Sequence, residues 1–312
     1  MINQTKTMII GAGNVGSTIA YDLIIQGICN DIIMIDNNRK KAAAQVLDLQ
    51  HCLEENMPVR IKEGTLADCD NADIVVITAA LPLIQGQTRL DMVDGARKIM
   101  DAIVPNIMET GFDGFFIIAT NPVDIISDYV YRLSNLPKNH IIGTGTALDT
   151  VRLRKYLADK IEVDATEVHL YCLGEHGDSL LIPWSIVTVG GKPIDELIND
   201  NKERFDEINK DEVRKYILQS GWMIAEEKGT TNYGIASTTV SIIKSIIYNE
   251  NRIIPISTLA EGEYGIDDIF IGLPAVLNSN GVKEILELKL LQDELKKLNY
   301  SANVLKNAKL TR

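Results

Sequence analysis

Over roughly the first 145 residues the apolar positions come in short unbroken runs, at 7–10, 32–35, 73–78, 115–119 and 140–143. Runs of that length, apolar throughout, predict strands covered on both faces, as in a parallel sheet. Between them apolar residues recur at helical spacing, as with Ile19, Leu23 and Ile24, and longer helical stretches are read from about 39 to 51 and from about 89 to 110. This alternation predicts an α/β protein, a doubly wound parallel sheet. Beyond Thr144 the pattern changes. Residues 168–172 and 182–189 read as strands, with Gly190-Gly191 as a hairpin signal, so a C-terminal α+β domain is expected over 145–312 after a first domain over 1–144. At the end of the chain Leu295, Leu298, Ala302 and Leu305 line one face of a helix while Lys296, Lys297 and Asn299 face away, a packing stripe.

The turn after the first strand carries chemistry. Gly11-Ala12-Gly13-Asn14-Val15-Gly16 stands between strand and helix, and the second strand ends at Asp36, twenty residues beyond Gly16. Gly11 permits the sharp turn, Gly13 lets the backbone approach a pyrophosphate, and Gly16 lets helix and strand pack closely. Phosphates then meet the N–H groups at a helix N-terminus. Asp36 suits the ribose hydroxyls and repels a 2′-phosphate, so this Rossmann-type start predicts NAD rather than NADP.

Composition sets outer limits. In 312 residues, 46% hydrophobic, 31 basic residues stand against 43 acidic ones, a net charge of −12. Such a balance, without a basic stripe or interleaved aromatics, argues against nucleic acid as a partner. No apolar run approaches membrane-spanning length, and the N-terminus passes directly into a strand, so neither membrane nor export is expected and the cytosol is. Cys29, Cys52, Cys69 and Cys172 show no Cys-x-x-Cys pairing and read as free thiols; His51 and Cys52 are neighbours but no ligand set is completed, so no metal is expected.

Only four histidines occur, and His176 lies in Gly174-Glu175-His176-Gly177-Asp178-Ser179. An imidazole in a glycine-bounded loop flanked by carboxylates fits a proton-transfer group, although Gly and Asp also mark plain surface turns. Together with the glycine turn and Asp36, the segments Thr120-Asn121-Pro122-Val123-Asp124, Leu148-Asp149-Thr150-Val151-Arg152 and Gly174 to Ser179 follow in an order that resembles the L-lactate and malate dehydrogenase family, closest to its bacterial L-lactate branch. The resemblance runs over nearly the whole chain. It implies reversible transfer of a hydride between NADH and the C2 of a 2-oxo acid, with His176 as acid/base, Asp149 as its carboxylate partner and Arg89, on a closing loop, polarising the carbonyl. It further implies Arg152 as the clamp on the substrate carboxylate and Asn121, Thr231 and Leu83 in the substrate pocket. Val15, Lys41, Ala80, Asn121 and Thr144 join Gly11, Gly13, Gly16 and Asp36 in the implied cofactor site. Read from the residues alone, Asp149 also suits a helix N-cap and Arg152 a solvated surface position.

Leu83 departs from the family pattern, in which lactate enzymes carry glutamine and malate enzymes arginine there. A second substrate carboxylate would then lack a counter-charge, which disfavours malate and suits apolar side chains, from pyruvate to branched acids such as 2-oxoisocaproate. Gln87 replaces an acid common in the same loop. Arg154 and His169 match residues with which many bacterial members bind fructose 1,6-bisphosphate between subunits, and the resemblance implies an allosteric homotetramer working in glycolysis and pyruvate fermentation. A non-catalytic dinucleotide-binding protein is the reading from another class.

Overall fold

The computed structural model describes residues 5–53, 58–80, 89–205 and 208–310. Six strands and the helices between them form the first half: β1 (Lys6–Ile10), α1 (Asn14–Gln26), β2 (Asp31–Ile35), α2 (Arg39–Gln50), β3 (Arg60–Glu63), β4 (Ile74–Ile77), α3 (Arg89–Met108), β5 (Phe115–Ile118), α4 (Val123–Ser134) and β6 (Ile141–Gly143). The second half contributes α5 (Ala147–Ile161), β7 (Val168–His169), β8 (Thr188–Val189), β9 (Lys192–Pro193), α6 (Ile194–Asp200), α7 (Lys202–Phe205), α8 (Lys210–Lys228), α9 (Tyr233–Ile247), β10 (Arg252–Glu261), β11 (Asp267–Asn278), β12 (Gly281–Ile285) and α10 (Gln292–Asn307).

Nine strands make one sheet in the order β12-β11-β10-β6-β5-β4-β1-β2-β3. From β6 to β3 all neighbours are parallel. The period of two along each strand sorts its side chains to opposite faces: Ile9, Met34, Val76 and Ile117 enter one core with α1, α2 and α9, while Met8, Ile10, Ile33, Val75, Ile77 and Phe116 enter another with α3 and α4. Both faces are covered, which is why these runs are apolar throughout. Strand order reverses at β1, whose neighbours are β2 and β4, and this switch point opens a crevice at the C-terminal ends of the strands. Registers pair Ile10 with both Ile35 and Ile77, Ile77 with Ile118, and Ile118 with Gly143. Gly11, Asp36, Thr78, Ala119 and Thr144, each the next residue along, therefore share one edge.

Sequence patterning missed the antiparallel meander β10–β11–β12, which joins the sheet where Ser257 pairs with Gly143 of β6. Pro255 and Pro274 lie within the two long strands and sit opposite each other in register, a feature that weighs against a strand when read from sequence. Two expected strands are shorter than their apolar runs. The run at 168–172 keeps ladder pairing only at Val168–His169, and that at 182–189 is broken by a 3-10 turn at Trp184–Ile186 begun by Pro183, whose ring fixes φ. Gly190 and Gly191 do form the hairpin between β8 and β9, with φ of +55° and +81° as a type I′ turn requires. On α10, Leu298, Ala302 and Leu305 are buried as the stripe predicts, but Asn299 is half-buried, its amide donating to the Leu295 carbonyl at 3.0 Å. Among the described residues no helix is long and apolar enough to cross a membrane, and no cluster of three metal-ligating side chains occurs. Cys29, Cys69 and Cys172 are buried free thiols and Cys52 is half-buried.

Candidate active site

The glycine turn is shaped by what it cannot hold. Gly11 has φ +110°, and a Cβ on Gly16 would stand 1.9 Å from the Gly11 carbonyl oxygen, so helix α1 can start this close to β1 only without side chains there. A Cβ on Gly13 would instead meet nothing nearer than Lys41 Nζ at 3.9 Å. Gly13 is the N-cap of α1 and supplies no side-chain acceptor, leaving the first N–H groups of the helix to an anion that approaches over Gly13 with Lys41 beside it. Asp36 frames the other side: Oδ2 accepts from the Ala12 N–H at 2.8 Å and Oδ1 from the Asn38 N–H at 2.8 Å. Val15 is half-buried on the first turn of α1, Ala80 and Asn121 are exposed just beyond β4 and β5, and Thr144 is buried just beyond β6. Geometry and donor set fit a dinucleotide laid along the C-terminal edge of the sheet.

The surroundings of His176 are assembled from distant segments. Thr146 caps α5, so Asp149 is not the N-cap but lies buried in the first turn. Its Oδ2 is 2.6 Å from His176 Nδ1, and its Oδ1 accepts from Arg152 Nη1 at 3.2 Å, one turn further along the same helix face. Arg152 is therefore not a solvated surface group; its side chain is only 16% exposed. The loop that carries His176 is held by backbone pairs between Gly174 and Gly272 of β11, both 2.9 Å, by the Glu175 N–H donating to Ser301 Oγ of α10 at 2.7 Å, and by the His176 N–H donating to Asp124 Oδ2 of α4 at 2.9 Å. This is a built site, not a plain turn.

The charges reinforce one another. The Asp149 carboxylate, less the cost of burial and aided by Asp124, raises the His176 pKa above its ordinary value. Burial pushes Asp149 up, but His176 and Arg152 together outweigh that and hold it below the usual carboxylate range. With Nδ1 engaged by Asp149, Nε2 is the ring nitrogen left for another partner. Thr231 lies in the link between α8 and α9, both of which pack on α5, and its carbonyl accepts from Thr230 Oγ1 at 3.2 Å. Leu83 and Gln87 lie outside the described residues, and of Arg89 only the backbone is described, as the first residue of α3. Arg154 Nε donates to the Val168 carbonyl at 3.2 Å, next to exposed His169 on β7.

Sequence reading overlooked Asp124 as a site residue, although it closes the Thr120–Asp124 motif, and Ser301, a polar residue set within the apolar stripe of α10. A polar position on a buried helix face was the available signal for the second.

Comparison with known proteins supplies the family. A family model described as lactate/malate dehydrogenase, NAD binding domain, matches residues 5–143, and one described as lactate/malate dehydrogenase, alpha/beta C-terminal domain, matches residues 146–311. The chain belongs to this family. The dinucleotide of its first half is NAD. Its relatives include an L-lactate dehydrogenase 3 of Bacillus thuringiensis subsp. konkukian, 45% identical over 97% of this chain and 96% of that protein, and an L-lactate dehydrogenase of Lactococcus lactis subsp. cremoris, 45% identical over 98% and 97%. The solved structure of a minor L-lactate dehydrogenase from Enterococcus mundtii, in a ligand-bound form, superposes with a TM-score of 0.93 at 40% identity, covering 97% of both chains.

Proposed function

We infer that the chain is an NAD-dependent L-lactate dehydrogenase interconverting pyruvate and L-lactate. One observation carries the chemistry: Asp149 holds His176 Nδ1 at 2.6 Å and Arg152 at 3.2 Å on the same carboxylate. A proton donor and a carboxylate clamp are thereby tied to one carboxylate, as a substrate bearing a carbonyl beside its carboxylate requires. When bound, the nicotinamide supplies the hydride for C2 in reduction and receives it in oxidation. Arg152 binds the substrate carboxylate through parallel N–H bonds, and Asn121 donates to the carbonyl oxygen. Arg89 polarises that oxygen. His176, held as imidazolium by Asp149, gives the Nε2 proton to the oxygen as negative charge develops there, and Asp149 leaves its own proton count unchanged. In oxidation neutral Nε2 takes the hydroxyl proton back.

Leu83 belongs to the side-chain pocket, where its apolar group suits the methyl of pyruvate and gives oxaloacetate no counter-charge. The sites named at Gly11, Gly13, Val15, Gly16, Asp36, Lys41, Ala80, Asn121 and Thr144 hold the coenzyme. The division between 1–144 and 145–312 is part of the same reading, supported by the separate core that α5, α8 and β7–β9 build among themselves. So are a homotetramer in the cytoplasm, a role in glycolysis and pyruvate fermentation, and allosteric activation by fructose 1,6-bisphosphate at Arg154 and His169. The test is loss of NADH absorbance with pyruvate, oxaloacetate and 2-oxoisocaproate, each with and without the bisphosphate. Pyruvate should give the largest kcat/KM, and the reading is wrong if oxaloacetate or 2-oxoisocaproate exceeds it.

A further inference from the structure

A second carboxylate reaches His176, at its main chain rather than its ring. Asp124, in the first turn of α4, is 2% exposed, and its Oδ2 accepts from the His176 backbone N–H at 2.9 Å. Its other oxygen, Oδ1, is buried and, like Ser257 Oγ of β10, meets no partner in good hydrogen-bond geometry among the described residues; Ser257 is the neighbouring hydroxyl that favours its charged form. A carboxylate buried with so few partners costs several kcal/mol, so a residue of purely structural duty there would serve better as an amide or an apolar group. The position also has a use. Asp124 stands three residues after Asn121 on the same turn, and Pro122, the N-cap of α4, adds no side-chain acceptor, so the helix N-terminus favours negative charge at Asp124. Gly143 makes room for this turn, since a Cβ there would lie 2.7 Å from Ser257 Cβ and 3.2 Å from Val123 Cγ2.

We propose that Asp124 is a positioning residue for proton transfer: its buried carboxylate ties the main chain of His176 to the turn that carries Asn121, fixing the spacing of two groups that serve one substrate oxygen. The assignment rests on the lactate dehydrogenase reading for the role of Asn121. It also gives Asp124 an electrostatic part. Among the described residues three charged groups act on the imidazole, Asp149 and Arg152 from α5 and Asp124 from α4; the two carboxylates favour imidazolium and the guanidinium opposes it. Burial raises the pKa of Asp124 itself, with Ser257 and His176 acting against that rise.

The experiment uses the full-length Asp124→Asn and Asp124→Leu variants, with His176→Asn as reference. The chain has four histidines, so the ring signal absent from His176→Asn identifies His176 in an NMR pH titration. Asparagine keeps an acceptor for the His176 N–H but removes the charge. Its His176 midpoint should move to lower pH, and the alkaline limb of pyruvate reduction should move with it, while kcat on the acid plateau falls less than about threefold. Leucine removes the acceptor as well, and kcat should fall about 100-fold, the scale of a misplaced reacting group, with KM for pyruvate changing far less because Arg152 is untouched. An unmoved midpoint in Asp124→Asn, or an undiminished kcat in a folded Asp124→Leu that binds NADH, overturns the proposal. Should the leucine variant not fold, the asparagine titration decides. That titration needs no substrate, so a wild-type chain inert toward pyruvate would sink the lactate assignment while the midpoint still tests Asp124.

Discussion

Replacing Asp149 by asparagine removes a charge while nearly preserving shape, and the structure sets the size of the effect. Unit charges about 4 Å apart at an effective dielectric near 20 attract by ~4 kcal/mol. The side chain of His176 is 27% exposed, which weakens that attraction. A net loss of about 2–3 kcal/mol remains, or roughly 30- to 150-fold in kcat for pyruvate reduction at neutral pH. The loss has a direction in pH. In the native enzyme the pKa of His176 is raised above 6.5, so imidazolium persists to higher pH than an ordinary histidine allows; in Asp149→Asn the rate should begin to fall at lower pH, and the deficit should shrink as the medium is made acid enough to protonate the ring unaided. Steady-state rates of NADH loss over a pH series, with NADH binding measured separately to confirm a folded site, give the comparison. A variant within twofold of native kcat across that series would refute the idea that Asp149 sustains the imidazolium.

Gly13 and Gly16 should separate cofactor binding from folding. Gly16→Ala places Cβ 1.9 Å from the Gly11 oxygen and should lower the thermal midpoint and NADH affinity together, whereas Gly13→Ala has no protein atom nearer than 3.9 Å and should keep its thermal midpoint while weakening NADH about tenfold or more, as read by calorimetry and fluorescence titration. Arg152→Lys keeps the charge but not the planar fork; KM for pyruvate should rise about 100-fold, with kcat less affected, and an unchanged KM would remove Arg152 from the clamp. The His176–Asp149 pair also predicts a stability profile. Because the folded pKa of His176 lies above 6.5, its contribution is complete below that pH and is lost as pH rises through the raised value; Asp149, held below 3.8 when folded, contributes above 3.8 and loses its contribution as pH falls through its depressed value. The stability difference between the native chain and His176→Asn in denaturant titrations should thus be largest in mildly acid solution and decline toward alkaline pH.

Much of this was legible from local pattern because the chemistry of the first half is local. Gly11 to Gly16 and Asp36 need only a strand, a turn, a helix and the next strand, and each leaves its mark within about thirty residues. The expected strands at 32–35, 73–78 and 115–119 appear within one residue of their observed ends for the same reason, an apolar run covered on both faces. Periodicity failed where tertiary pairing overrode it. Pro255 and Pro274 disguise two of the longest strands, and the run at 182–189 reads as continuous strand although Pro183 turns it. The pairing of Asp149 with His176, 27 positions apart, came from family resemblance and not from spacing, because nothing local to either residue encodes the other.

The missed strands pack beside the missed site residues. β10 and β11 extend the sheet past β6, and in doing so they bring Ser257 beside Asp124 and Gly272 against Gly174. Glycine is needed at both ends of the latter contact, since a Cβ on Gly272 would lie 2.6 Å from the Gly174 oxygen and one on Gly174 would lie 2.7 Å from Ser301 Oγ. The His176 loop is therefore fixed by a sheet edge, a terminal helix and two carboxylates, none adjacent to it in sequence. On the proposed function a proton-transfer group stands between a sheet that binds coenzyme and a helix that binds substrate and must be anchored to both, and the antiparallel extension supplies the ground on which that anchoring rests.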